Sequence, residues 1–224
     1  MVGTYPILGS RLVIVSSIQW RHFNKSPRVP AHLFSRLKIA ADEMLRICDR
    51  KTDYRGAASP LFWTLRGKSV GTAAITGWRD LIAPAIRTET SVGIWPFDGH
   101  LKPLLKRKKT LFAETYPGDA YSHLNFPKKW RGKTKQKTRL PRSKELLKWA
   151  DSKHARYEPK LIKEIKDGFG SGKDGEDRFD AVVGLFSMID VVLGHRSEGV
   201  PNDPVVRKIE GWIFGQQPNT GVSK

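Results

Sequence analysis

The sequence predicts an α/β fold, and three observations carry that prediction. Short runs rich in β-branched and aromatic residues, such as RLVIVSSIQW (11–20) and TLFAETY (110–116), alternate with longer stretches of helical periodicity. That alternation marks strands joined through helices. The stretch RFDAVVGLFSMIDVVLG (178–194) is apolar nearly all round, as a helix buried against a sheet must be. No internal repeat runs along the chain, and the order of the strands is not readable from the alternation alone.

In chain order, 11–20 reads as a strand. PAHLFSRLKIAADEMLRIC (30–48) reads as a helix, with Pro30 at its start and Leu33, Leu37, Ala41, Met44 and Cys48 on one face. DRKTDYRGAASPLFWTLRGKS (49–69) is an irregular loop. GTAAITGWRDLIAPAIR (71–87) is a helix with Ala74, Trp78, Leu81 and Ala85 on one side. SVGIWPF (91–97) is a short strand, ended by Pro96 and the turn at Asp98-Gly99. HLKPLLKRKK (100–109) is basic, with room for one helical turn. TLFAETY is the next strand; Pro117-Gly118-Asp119 ends it, and Asp119 is placed to cap a helix through Leu124. PKKWRGKTKQKTRLPR (127–142) is a basic loop. SKELLKWADSKHARY (143–157) resumes as a helix capped by Ser143, and EPKLIKEIKDGFG (158–170) forms a shorter one. SGKDGE (171–176) is a loop before the long apolar helix, which runs to Leu193. NDPVVRKIE (202–210) is a helical turn and GWIFG (211–215) a small terminal strand or turn.

A single domain over residues 1–224 is expected, because 39% hydrophobic residues with seven Trp and ten Phe supply a sizeable core and argue against a disordered chain. Cys48 is the only cysteine, which excludes an intrachain disulfide and a cysteine-rich zinc site; a reducing, cytoplasmic setting fits. No run of about 18 apolar residues occurs, so no membrane span is expected. The N-terminal stretch lacks the small-residue cleavage site of a signal peptide. Forty Lys and Arg against 22 Asp and Glu give a formal charge of +18 and a pI near 10.2. Polyanions are the natural partners of such a surface. Nucleic acid leads, and an anionic membrane surface trails, since no basic amphipathic helix is evident.

The acids are few and unevenly placed. Asp174, Glu176, Asp177 and Asp180 crowd the start of the apolar helix. At about 100° per residue, Asp177, Asp180, Ala181, Gly184, Ser187 and Met188 share one face. The small residues at 181, 184 and 187 let the helix lie close to a sheet, with its carboxylates projecting at the sheet's edge from a rigid support. Asp177 as a simple N-cap and Asp180 as a first-turn anion favoured by the helix dipole are the structural alternatives. In TLFAETY, alternation sends Leu111 and Ala113 to one side and Phe112, Glu114 and Tyr116 to the other. Glu114 ends an apolar run where the chain turns, and ligands of open α/β sheets gather at strand ends. A glutamate simply exposed at a strand terminus is the alternative. An oxygen cluster of Glu114, Asp177 and Asp180 would suit Mg²⁺ or Mn²⁺, the usual apparatus of metal-dependent phosphodiester cleavage.

The stretch 127–142 holds eight basic residues in sixteen and no acidic one. Lys128, Lys129, Arg131, Lys133, Lys135 and Arg139 are candidates to position a phosphate backbone, and Trp130 to stack on a base. A solvated loop is the alternative. RGKSVG (66–71) is a weak candidate for an anion nest at a helix start, since it matches no P-loop. The six histidines show no metal-ligand spacing, and Cys48 belongs to an apolar face. No G-x-S-x-G elbow and no G-x-G-x-x-G fingerprint occurs.

Four stretches taken in order, CDRKTDYRGAASPLFWTLRGKSVG with GWRDLIAPAI, IWPFDG, AETYPGDAY, and the ending DRFDAVVGL…EGWIFG, resemble the prokaryotic family called domain of unknown function 429. The resemblance covers residues 48–215. It implies a ribonuclease H-like fold, a mixed sheet flanked by helices, and the nuclease activity predicted for the family. On that resemblance Glu114 matches the family's strand-end acid. Asp177 and Asp180 match the acids at the start of its last long helix, which would hold the divalent cation. One departure matters. The family's pattern begins with a strand carrying an aspartate, followed by a hairpin, and residues 1–47 do not match it. RLVIVSSIQW has no acidic residue, and Asp42 and Asp49 lie in or beside a predicted helix. The ribonuclease H-like sheet is therefore expected to be incomplete at its N-terminus, through a late start or a shifted reading frame. The gene sequence upstream of Met1 tests this expectation.

The leading expectation is a divalent-metal-dependent nuclease or nuclease-like protein, with Glu114, Asp177 and Asp180 as the catalytic and metal-holding acids. The second is a non-catalytic nucleic-acid-binding protein whose acids are structural. The third is an enzyme acting on a small phosphorylated substrate held by RGKSVG and Arg79.

Overall fold

The structure is a computed structural model. It describes residues 4–7, 10–16, 43, 45–59, 75–127, 130, 132–153 and 155–218, the first two stretches by their backbone alone. The strands are β1 (Thr4–Ile7), β2 (Ser10–Ser16), β3 (Val92–Ile94) and β4 (Thr110–Thr115). A π-helical turn at Trp78–Ile82 runs into α1 (Ala83–Thr88), and α2 is Leu101–Arg107. After β4 come α3 (Pro117–His123), α4 (Gln136–Arg139), a 3-10 turn at Leu140–Arg142, α5 (Ser143–Ser152) and α6 (Pro159–Lys166). The long helix α7 spans Gly175–Val192, and a π-helical turn at Val206–Glu210 follows.

The four strands form one mixed sheet in the order β1-β2-β4-β3. The β1–β2 hairpin is antiparallel, with Ile7 opposite Ser10. β4 runs parallel to β2, with Val15 opposite Glu114, and parallel to β3, with Val92 opposite Thr110. Parallel neighbours need a crossover, and α2 fills the one between β3 and β4. Residues Leu111, Phe112, Ala113 and Thr115 of β4 are buried, as a strand paired on both sides requires. A parallel bridge between Glu114 and Ile213 brings the GWIFG stretch against the end of β4.

The two faces of β4 are covered by different elements. Leu111 and Ala113 belong to the main core with Phe179, Val183, Phe186 and Met188 of α7. Gly184 sits at the close approach, where a Cβ would lie 3.1 Å from Thr115 Cγ2. Phe112 points the other way, into a smaller cluster with Ile82 and Val92. Alternation along the strand then carries Glu114 to the Phe112 side, away from α7.

Several local expectations change. Of the helix expected over 30–48, the described end is a 3-10 turn, Ile47–Asp49, entered from an extended Arg46; most of the rest lies outside the described residues. The helix expected over 71–87 is described from residue 75 and widens into the π-helical turn. Asp119 caps nothing: α3 starts at Pro117 behind Tyr116, and no side chain caps it. Ser143 lies inside α5, where its hydroxyl donates to the Ile165 carbonyl, and the helix stops at Ser152 rather than at 157. Asp177 is in the first turn of α7 and is not its N-cap, a position held by Asp174. The basic loop 127–142 contains α4.

Candidate functional site

Beyond β4 the chain turns into α3, and a cleft of about 360 Å³ opens beside it. Tyr121 from α3, Phe126 and Trp130 from the following loop, and Tyr54 from the segment after Cys48 line it, together with Arg55 and Lys133. Asn125 adopts a left-handed conformation (φ 59°), and the Phe126 amide donates back to the Tyr121 carbonyl at 3.0 Å. That reversal ends α3 and returns the chain over the helix. The rings then lock together. Tyr121 and Phe126 stack at 5.6 Å, and Trp130 stands edge-on to both, at 5.0 and 5.6 Å. Phe179 of α7 packs beneath, 5.6 Å from Trp130.

Asp180 stands at the edge of this aromatic floor. The Tyr121 hydroxyl donates to one carboxylate oxygen at 2.6 Å, and the Lys133 ammonium to the other. Lys133 also lies 3.3 Å from Glu176. Burial pushes the Asp180 carboxyl upward, with Lys133 and Tyr121 pulling the opposite way. Burial works against the Lys133 charge too, but Asp180 and Glu176 outweigh it and hold the ammonium protonated.

Arg139 sits behind Lys133 and is 1% exposed. Its guanidinium donates to the carbonyls of Gly168 (2.8 Å), Lys133 (2.5 Å) and Gly170 (2.5 Å). Arg139 therefore fastens the Lys133 loop to the turn that leads into α7, and its guanidinium is turned away from the solvent where a phosphate would lie.

Glu114 belongs to a different network. Arg46 grips its two oxygens at 2.8 and 2.9 Å, and holds Asp49 at 2.7 and 3.0 Å. Such fork-on-fork pairing fixes geometry as well as charge. The Ile47 amide donates to the Glu210 carboxylate at 2.9 Å, tying the same segment to the last helical turn. Nearby, Arg55 donates to Asp119 at 2.9 Å and to the carbonyls of Cys48 (2.7 Å) and Gly56 (3.0 Å), and lies 4.6 Å from the centre of the Tyr116 ring. Burial pushes the Cys48 thiol up to about 12, so this cysteine stays protonated and inert.

The structure thus separates the acids expected to act together. Glu114 faces Arg46 on one side of β4. Asp180 faces Lys133 and Tyr121 at the cleft, and Asp177 is half-buried one turn earlier on α7. Among the described residues, no three His, Cys, Asp or Glu side chains gather closely enough to hold a metal ion. The donor set in this arrangement does not fit the three-carboxylate centre that the family resemblance implies. Of the basic candidates, Lys135 is exposed, Lys133 is held by Asp180 and Glu176, and Arg139 is buried. Trp130 lines the cleft. Lys128, Lys129, Arg131 and the RGKSVG stretch lie outside the described residues, and Arg79 forms an exposed ion pair with Asp80 at 2.5 Å.

Sequence reasoning missed Tyr54, Tyr121 and Phe126 as cleft residues, and Arg46 as the partner of Glu114. The crowding of Tyr121, Phe126 and Trp130 within ten positions beside the basic run was the available signal. A second polar pair lies deeper: His123 Nδ1 is 2.6 Å from Ser187 Oγ. Ser187 is 1% exposed, and burial pushes His123 down to about 3, so the pair is a neutral structural contact rather than a nucleophile and its base. Comparison of the chain with family models, curated proteins and solved structures finds no match.

Proposed function

We propose that this protein binds nucleic acid, with the basic segment 127–142 gripping the phosphate backbone beside the aromatic cleft. The observation that carries this reading is the meeting of the two features in one place. The segment with eight basic residues and no acidic one supplies Trp130, Gly132, Lys133 and Thr134 to the cleft wall, and Lys135 and Lys137 next to that wall are exposed. Phosphate contacts position a nucleic acid without reading its sequence, and they supply most of the affinity of a strongly basic protein. On this reading Asp180, Glu176 and Glu114 are structural acids. They hold Lys133 and Arg46 in place and carry no chemistry of their own.

The second reading keeps the ribonuclease H-like fold and the metal-dependent nuclease activity that the family resemblance implies. The observation in its favour is the Glu176–Asp180 carboxylate pair, which shares the single ammonium of Lys133, a residue lining the same cleft. Mg²⁺ or Mn²⁺ would have to draw Glu114 and Asp177 into that pair.

One experiment divides the readings. The chain is incubated with labelled DNA and RNA, with Mn²⁺ or EDTA, beside Asp180→Asn and Glu114→Gln. Binding that survives EDTA and weakens steeply with salt, without cleavage, is the expected result. Mn²⁺-dependent cleavage lost in both variants would establish the nuclease instead. A folded chain that neither shifts nor cuts nucleic acid would end both.

A further inference from the structure

We infer that the cleft takes one unpaired nucleobase, so that the protein prefers single strands to duplex. The inference rests on the nucleic-acid reading and adds the form of the ligand. Four aromatic side chains, Tyr54, Tyr121, Phe126 and Trp130, line the cavity. Its volume of about 360 Å³ falls at the small end of the roughly 300–1,000 Å³ typical of small-ligand sites. A single base with its sugar is an occupant of that scale, and a base pair inside a helix cannot enter.

The charges inside the cleft point the same way. Arg55 spends its guanidinium on Asp119 and on backbone carbonyls, and Lys133 spends its ammonium on Asp180 and Glu176. Both cations are answered from within the fold, which leaves the interior suited to a neutral ring and poorly suited to a phosphate. The exposed lysines 135 and 137 follow directly on Thr134 of the cavity wall, where the backbone of an inserted nucleotide would emerge. The arrangement separates a stacking floor from a cationic rim, as proteins that track single strands do. Tyr54 is 50% exposed and forms the outer wall. The stacked Tyr121–Phe126 pair and the edge-on Trp130 make the floor rigid before any base arrives.

The test measures binding of the whole chain to a single-stranded oligonucleotide, to the same strand built entirely from abasic sugar-phosphates, and to the duplex, at one salt concentration. Tyr54→Ala and Trp130→Phe are run beside the parent chain, the first at an exposed side chain whose loss spares the core. The expected result is roughly tenfold or tighter binding of the normal strand than of the abasic strand or the duplex. Tyr54→Ala should remove roughly fivefold or more of that preference, with the salt dependence unchanged. Equal, salt-sensitive binding of all three ligands would overturn the base-insertion inference while leaving the nucleic-acid reading standing. Full single-strand preference in both variants would overturn it as well. Absence of binding to any of the three would sink both.

Discussion

At the scale of single residues, acids answer two of the largely buried arginines of this strongly basic chain, Arg46 and Arg55. Arg46 holds Glu114 and Asp49 together; Asp49 is its neighbour three residues on, but Glu114, 68 residues away, comes from a strand that no local pattern connects to it. Replacing Arg46 with Ala should cost about 2–3 kcal/mol. That is below the roughly 3–5 kcal/mol of a fully buried pair, because the Glu114 side chain is 37% exposed. Arg46→Lys should recover little of this, since one ammonium cannot reproduce the fork. Urea midpoints of the three chains measure both effects, and a lysine variant as stable as the parent would refute the bidentate argument.

His123 gives a second residue-scale expectation. The fold keeps it neutral, with a pKa near 3, whereas the unfolded chain protonates it near 6.5. Below about 6.5 the unfolded chain gains a proton that the fold refuses, so stability falls as the pH falls towards 3. The slope is up to about 1.4 kcal/mol per pH unit. His123→Asn keeps a polar atom near Ser187 and removes the titration. Its stability should fall less than the parent's between about pH 7 and pH 5. Equal losses in the two chains would mean that His123 does not carry the effect.

At the scale of elements, α7 organises the molecule, and two glycines let it do so. At Gly175 a Cβ would come within 2.6 Å of Arg139 Nη2 and 2.7 Å of the Phe169 carbonyl. Both atoms are buried and held, so Gly175→Ala should cost about 1–3 kcal/mol through forced displacement, despite alanine's better helix propensity. Gly184 is more forgiving. Its nearest neighbour is the Thr115 methyl at 3.1 Å, so alanine there should be near neutral, its propensity gain offsetting a small shift. Gly184→Val should lose about 1–3 kcal/mol by pushing α7 off β4. Thermal unfolding of the three variants checks the ranking. Arg139 acts at the same scale, because it ties the loop before α4 to the turn before α7. Arg139→Met should leave three carbonyls without their donor and loosen the cleft's Lys133 wall.

At the scale of the whole molecule, the +18 charge gives the binding proposal a number to meet. Each phosphate contact on a single strand contributes about 0.7 to the slope of log affinity against log salt. Replacing Lys135 and Lys137 together with Gln should lower that slope by about 1.4 and leave the base preference intact. An unchanged slope would place the phosphate track elsewhere on the surface. Among the described residues, no helix is long and apolar enough to cross a membrane.

What the sequence by itself determined about this protein is what neighbouring residues decide among themselves. The period-two run of TLFAET specified β4, and the apolar, small-residue-bearing stretch after Glu176 specified α7, because strand pleat and helix pitch repeat over a few residues. The class of fold and the basic segment were legible for the same reason. Alternation even placed Leu111 and Glu114 on opposite faces of β4. Which face α7 would cover was decided only by the tertiary structure, through Gly184 closing on Thr115. That one packing choice sends Glu114 to Arg46 and Asp180 to Lys133, and it parts the acids that looked like one site. Asp119 likewise gave up a helix cap that its position favoured, because Arg55, 64 residues away, is buried beside it. A buried charge must find an opposite charge or hydrogen-bond partners wherever the folded chain brings them near, and no local spacing records a partner so distant.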